Sequence, residues 1–435
     1  MKRMYYKDKD GVCHILYDNT IHNYIGENPV VRNDSDYYRY DKKDRIWKKT
    51  TLQKIRISLA RYYMEKTGLT WSVRYKREFE EKMKVAIPDV EQMNISKTAV
   101  CLANGMFDLE SGKFRKNVKD YYFTTSLTYP YDKNADCPQF KKFLNEVCCG
   151  NEKRIRTLEE FLGLALTKDI GPSQAVLCTG SGQNGKSVYL NIACELIGED
   201  NYASVTINEL RKFGKARLEG ITLAVMSELS KSETKDVMST ELKQIISGER
   251  MECNPKYKDL REIRPVAKVL ILTNHMIGFT GDDSYGALRR ILIVPFEYQI
   301  PAEKKDTNLE DKLKKELSGI FNLAVEGYRR LKENNYVYSS NEESEKIKSS
   351  LIYNENPLKC FIKEQVVFAQ GSNLSYQTFK NRYQEWCDRN DIEIDISILK
   401  SNDIYREIYN QYNTVDHYKS NSVRGIKHVQ INQKK

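Results

Sequence analysis

No stretch of the 435 residues approaches the ~20 apolar residues that cross a bilayer. The opening MKRMYYKDKD lacks the apolar centre of a secretion signal. Histidine is scarce, at five, and the ten cysteines are scattered without a CxxC pair. Clustered zinc ligands are therefore not expected, and reduced thiols are the simpler reading. No internal repeat is evident, and residues 1–95 hold no cluster of paired carboxylates. These absences point away from membrane and secreted classes and toward the cytoplasm. What is present is 40% hydrophobic and 30% charged residues, enough for about two to four domains with sizeable cores.

Charge leans one way. The net formal charge is +10, and residues 1–80 alone carry 18 Lys/Arg against 11 Asp/Glu. A polyanionic partner such as nucleic acid suits this excess, and so does a basic solvated surface.

Residues 1–50, polar and rich in Tyr, Asp and Lys, read as a basic, irregular lead-in. TLQKIRISLARYYMEK, from Thr51, spaces Leu52, Ile55, Leu59 and Tyr62 or Tyr63 along one helix side. The turn pairs of NGMFDLESGKF, residues 104–114, predict a small hairpin. Helical spacing resumes afterwards, so 51–168 is expected to be a mostly helical domain. Gly171-Pro172 then breaks the pattern, and short apolar strands alternate with helical stretches over 169–335, the mark of an α/β domain. Residues 309–331 predict one long closing helix, 336–350 a polar linker or the start of an exposed helix, and 351–435 a small helical domain ending in a turn and strand-like alternation.

The chemistry begins at TGSGQNGKS. Gly180, Gly185, Lys186 and Ser187 complete G-x-x-x-x-G-K-[ST], after an apolar run and before a helical one. One reading is a glycine-rich turn with a chance lysine. The other is a phosphate grip over Gly180, Gly182, Gln183, Asn184, Gly185, Lys186 and Ser187. In it the backbone N–H groups face phosphate oxygens, Lys186 reaches the β- and γ-phosphates of ATP, and Ser187 holds Mg2+. Flanks of the right kind favour the grip. Leu223 to Met226 form a second strand-like run, and Glu228 at its end is placed to activate water and organise the metal; its bland alternative is a surface carboxylate. AKVLILTN ends a third run at Asn274, which either orients the attacking water or simply makes a turn. Arg289 and Arg290 precede Ile291–Val294, as a solvent edge or as an arginine finger reaching a neighbour's γ-phosphate.

In this order the motifs resemble the superfamily-three helicases of the phage and plasmid primase-helicase group, AAA+ relatives similar to the poxvirus primase-helicase. The resemblance spans roughly residues 95–335, and more weakly the carboxyl-terminal tail. It implies an AAA+-type P-loop core between a helical amino-terminal domain and a small winged-helix-like carboxyl-terminal domain. It also implies a homo-oligomeric ring, six subunits by family expectation, that hydrolyses ATP and moves 3′ to 5′ on single-stranded or forked DNA. Arg290 matches the finger position better than Arg289. GERMECNPKYKDLREIRP matches the element whose hairpin enters the channel, with Lys256, Tyr257 and Lys258 at its tip for DNA. The chain departs from the pattern in offering one acid, Glu228, where two can stand, and in having too few residues before 95 for a primase domain. A separate primase is expected. The setting implied is replication of a phage, plasmid or integrated mobile element in a bacterial host cell. A nucleotide-switched DNA-binding initiator with little unwinding activity is the alternative.

Overall fold

Tyrosines build much of the amino-terminal core. In the computed structural model, which describes residues 1–435 except 213, 228–238, 254–260, 275–287, 302, 304–305, 356, 391, 421 and 433–435 and the side chains at 73 and 351–355, the first fifty residues are not irregular. β1 (Tyr5–Lys7) pairs with β2 (Cys13–Ile15), α1 (Tyr17–Glu27) follows, and β3 (Val30–Asn33), β4 (Asp36–Asp41) and β5 (Ile46–Thr50) form an antiparallel meander. They share one core with α2 (Leu52–Thr67) and α3 (Lys76–Ala86), in which Ile21, Tyr24, Val30, Leu59, Tyr63 and Phe79 are buried. The sequence hid this because the strands are short and mostly half-buried, so polar and aromatic residues alternate with no clear apolar face. In α2 the expected stripe is seen: Ile55, Leu59, Tyr62 and Tyr63 are buried, Thr51 caps the start and Gly68 the end.

A second meander, β6 (Ala99–Leu102), β7 (Gly105–Asp108) and β8 (Lys113–Arg115), contains the hairpin expected at 104–114. It is followed by α4 (Pro138–Val147) and α5 (Glu152–Ala165). α5 lies against the later helix Leu317–Glu333 at backbone distance. A Cβ at Gly163 would fall 2.0 Å from the Ala324 carbonyl oxygen, and one at Gly327 2.4 Å from that of Glu159. Gly163→Ala should therefore lower stability by about 1–3 kcal/mol or more, read as a denaturant midpoint. Gly26→Ala on α1, where a Cβ meets nothing within 4 Å, should be neutral or stabilising.

The central sheet is parallel. Its strands are β9 (Ala175–Thr179), β10 (Tyr202–Ser204), β11 (Leu223–Met226), β14 (Lys268–Thr273) and β15 (Ile291–Pro295), in the order β10-β11-β14-β9-β15. The short hairpin β12 (Met251–Cys253) and β13 (Arg261–Ile263) lies between β11 and β14 in the chain. Side chains alternate cleanly between two cores. Val176, Cys178, Leu270, Leu272, Leu292 and Val294 face α5, α6 (Lys186–Ile197) and helix Leu317–Glu333. Ala175, Leu177, Val269, Ile271, Ile291 and Ile293 face the other way, over α7 (Ile207–Arg211), α8 (Thr240–Ser247) and the hairpin base. Burial on both faces explains why these strands read as continuous apolar runs.

The outer edge of β15 is closed by helix Asn341–Glu355, whose Ser344 hydroxyl accepts from the Ile293 N–H at 2.8 Å. Of the two readings for 336–350, linker or exposed helix start, the helix is the one seen, but it is packed, with Ser340, Ser344 and Lys348 buried. Its hydroxyls go inside because they satisfy buried partners: Ser340 N–H donates to Thr157 Oγ1 at 2.9 Å, and that hydroxyl donates to Ser340 Oγ at 2.9 Å. The single helix expected at 309–331 is two, Leu309–Lys314 and Leu317–Glu333. At the break, the Glu316 carboxylate accepts from the Gln139 and Phe140 N–H groups at the start of α4, at 3.2 and 3.0 Å.

The carboxyl-terminal unit runs helix Pro357–Gln365, β16 (Val366–Ser375), helices Tyr376–Arg389 and Ser401–Gln411, β17 (His417–Ser420) and β18 (Val423–Ile431). Its sheet is antiparallel in the order β16-β18-β17 over a core including Phe361, Phe379, Tyr383 and Trp386. Among the described residues no helix is long and apolar enough to cross a membrane.

Candidate nucleotide site

β9 ends at Thr179, and α6 starts at Lys186, so residues 180–185 form a loop at the carboxyl end of a strand flanked by β14 and β15. Open α/β sheets present ligand crevices at such strand ends, where the strand order reverses. Gly182, Gln183 and Gly185 have φ of +100°, +49° and +84°. Left-handed residues in a short loop turn successive N–H groups inward, and the helix that follows adds the positive end of its dipole. Behind the loop, a Cβ at Gly185 would lie 2.6 Å from Val147 Cγ1 of α4. α6 is anchored by buried Tyr189, Ile192, Ala193, Leu196 and Ile197, and the Tyr189 hydroxyl donates to the Leu158 carbonyl at 2.9 Å.

Lys186 is only 6% exposed. Its ammonium donates to the Gly180 carbonyl at 3.0 Å and to Asn184 Oδ1 at 2.8 Å. Loss of hydration draws it below the ordinary lysine range, against an opposing effect from Cys178. Ser187 lies exposed in the first turn of α6. Over the loop runs the chain leaving β15: Phe296 N–H donates to the Thr179 carbonyl at 2.8 Å, Gln299 Nε2 to Ser181 Oγ at 2.9 Å, and Ile300 N–H to the Gln183 carbonyl at 3.0 Å. This brace escaped the sequence reading, since backbone acceptors leave no residue-type signature.

The other candidates divide. Thr273 at the end of β14 is in register with Thr179 of β9, which sets Asn274, exposed, at the same sheet edge as Gly180. β11 ends at Met226, in register with Ile271; Glu228 lies outside the described residues. So do Lys256, Tyr257 and Lys258, between β12 and β13, whose Met251, Cys253 and Ile263 pack onto the sheet. Arg289 and Arg290 stand at the opposite end, before β15. There the Ala175 N–H donates to the Arg290 carbonyl at 2.8 Å, and Gln174 Nε2 donates to that of Arg289 at 3.2 Å. They line an open cleft of about 480 Å³ with Gln174, Ser247, Tyr336 and Asn341. Five residues of β15 separate this cleft from the loop edge, on the order of 17 Å. The fold of one chain does not bring Arg290 to Lys186. Among the described residues no group of three or more His, Cys, Asp or Glu is placed to hold a metal ion.

Comparisons with known proteins found relatives both in sequence and in fold. Residues 18–149 match the family model "D5 N terminal like", and residues 178–290 match a family of unknown function, DUF5906. The chain is 25% identical over 247 residues to "Putative helicase 184R" of Invertebrate iridescent virus 6, covering 51% of this chain and 24% of that protein. It is 24% identical over 265 residues to "Putative helicase L207/L206" of Acanthamoeba polyphaga mimivirus, covering 54% and 27%. The chain thus spans about a quarter of the length of the curated relatives it matches. Among solved structures, the apo A form of the NrS-1 C terminal region superposes with a TM-score of 0.53 at 14% identity, over 94% of this chain and 98% of that one. This chain shares its fold with the NrS-1 C terminal region and, over about half its length, is similar in sequence to viral proteins named as helicases.

Proposed function

We propose that the chain is an ATP-driven DNA helicase of the superfamily-three, AAA+ kind, acting as a ring, six subunits by family expectation, in replication of a virus, phage or mobile element. The observation that carries the reading is the complete G-x-x-x-x-G-K-S loop at the carboxyl end of a central parallel strand, with a buried lysine ammonium facing the loop carbonyls. The names of the viral relatives and the fold of the NrS-1 region support it from outside. The loop N–H groups and Lys186 would hold the phosphates. A magnesium ion, supplying charge neutralisation, fits an exposed Ser187 hydroxyl together with the phosphate oxygens, the hard oxygen donors it prefers. Glu228 would take the proton from water and Asn274 would orient it.

In this reading Arg290, or Arg289 beside it, serves a neighbour's nucleotide, which accounts for its position a sheet-length from its own Lys186. Lys256, Tyr257 and Lys258 would meet single-stranded DNA. The test is hydrolysis itself. ATP turnover should need magnesium and rise on adding single-stranded DNA of any sequence, and Glu228→Gln should bind ATP yet stop turning it over. Near-normal turnover by Glu228→Gln would remove it as the base.

A further inference from the structure

The geometry points to Asn184 as a positioning residue that presets Lys186 for phosphate by splinting it to the Phe296 carbonyl. This inference rests on the nucleotide-site reading above. Asn184 is 2% exposed, and its amide faces two partners at once. Lys186 Nζ can only donate, so the amide must present Oδ1 to it, at 2.8 Å; the Phe296 carbonyl can only accept, so the amide must present Nδ2 there, at 2.9 Å. The two partners fix the amide's orientation between them, and a flip would lose both bonds.

Phe296 is itself fixed, because its N–H donates to the Thr179 carbonyl at 2.8 Å. The bridge therefore runs from the last residue of β9, through the chain leaving β15, to the lysine that opens α6. Gly180 owes its identity to this bridge. It does not have a left-handed φ, but a Cβ there would fall 2.1 Å from Asn184 Nδ2 and 2.3 Å from the Phe296 carbonyl oxygen. An ammonium has three donors. Among the described residues Gly180 and Asn184 take two, which leaves one for an incoming phosphate oxygen. A lysine side chain otherwise free in several rotors is ordered before nucleotide arrives, and binding is spared that ordering entropy.

The consequence is that Asn184 should matter only through Lys186. Affinity for a magnesium complex of ATP bearing a ribose fluorophore would be measured for the full chain, Asn184→Ala, Lys186→Ala and the double variant, with melting temperature alongside. Asn184→Ala is expected to weaken binding about tenfold, the scale of one hydrogen bond to a charged group. In the Lys186→Ala background the same change should have almost no effect. Asn184→Asp should bind more weakly than Asn184→Ala, because its carboxylate competes with phosphate for the ammonium and has no donor for Phe296. Should the alanine variant fail to fold, Asn184→Ser, too short to span both partners, takes its place with the same expectation.

Losses that multiply independently in the double variant, or an Asn184→Asp that binds as tightly as wild type, would overturn the positioning role and leave the site standing. A Lys186→Ala chain that binds nucleotide normally would instead overturn the site reading.

Discussion

Lys186→Ala is expected to slow ATP turnover by about 10²–10³-fold, the scale of losing one preorganised donor to developing transition-state charge. The ammonium is buried at the loop mouth, where charge interactions are stronger than in water. Alanine leaves no cation in its place, and the carbonyl of Gly180 and the Oδ1 of Asn184 lose their donor. Phosphate release from the purified chain measures the effect; turnover within twofold of wild type would contradict it. The proposed ring adds a sharper form. Arg290→Ala subunits should also be inactive alone, and mixing them with Lys186→Ala subunits should restore part of the activity, since some interfaces then pair an intact loop with an intact arginine. If mixed rings form and no rescue appears at any ratio, Arg290 does not act across the interface; rescue with Arg289→Ala instead would move the role one residue.

The second large effect is on stability. Arg330→Met should cost up to about 3–5 kcal/mol, the range for removing one partner of a buried ion pair. The arginine side chain is 31% exposed, which places the cost toward the lower end. Arg330 donates from Nε to Glu160 at 2.8 Å and from its terminal nitrogen to Glu159 at 2.8 Å, joining helix Leu317–Glu333 to α5. The Glu160 side chain is 1% exposed and that of Glu159 11%, so both carboxylates would be left inside with their cation gone. Glu160 would keep the Ser339 N–H at 2.9 Å, which limits the damage on its side.

Burial already holds Glu159 above the ordinary carboxylate range, with Arg330 pulling the other way. A raised carboxylate binds its proton more tightly in the folded chain. Its contribution to stability is therefore full below the unfolded pKa, about 4.3 for glutamate, and is lost as pH rises through the folded value. Without Arg330 that loss grows, so the gap between variant and wild type should be widest near pH 7 and narrow below about pH 4.3. Denaturant midpoints at the two pH values measure it; a gap independent of pH would mean the arginine acts through packing alone.

How much of this was legible depended on what kind of group carried the signal. β9, β11, β14 and β15 stood out because strands covered on both faces are unbroken apolar runs, and α6 because a full motif sits at its start. The first fifty residues did not, because half-buried tyrosine-rich strands such as DYYRYD show no apolar alternation. Ser340 and Ser344 looked like linker residues, since only the fold reveals that a hydroxyl can satisfy the Ile293 N–H or join Thr157. The brace over the loop was out of reach for a similar reason: its key acceptor is the backbone carbonyl of Phe296, 112 positions from Asn184. For Asn274 and the arginines the sequence supplied order along the chain. The sheet then separated them, with Asn274 at the loop edge and Arg289 and Arg290 at the far one.

The central claim is that nucleotide turnover drives strand separation. It is tested most directly with a forked duplex bearing one labelled strand and a single-stranded 3′ tail, incubated with the chain, magnesium and ATP. The account predicts displacement that requires hydrolysable ATP and the 3′ tail and disappears in Lys186→Ala. Robust DNA-stimulated hydrolysis with no strand displaced would contradict it, and would make the chain a nucleotide-switched DNA-binding initiator rather than a motor.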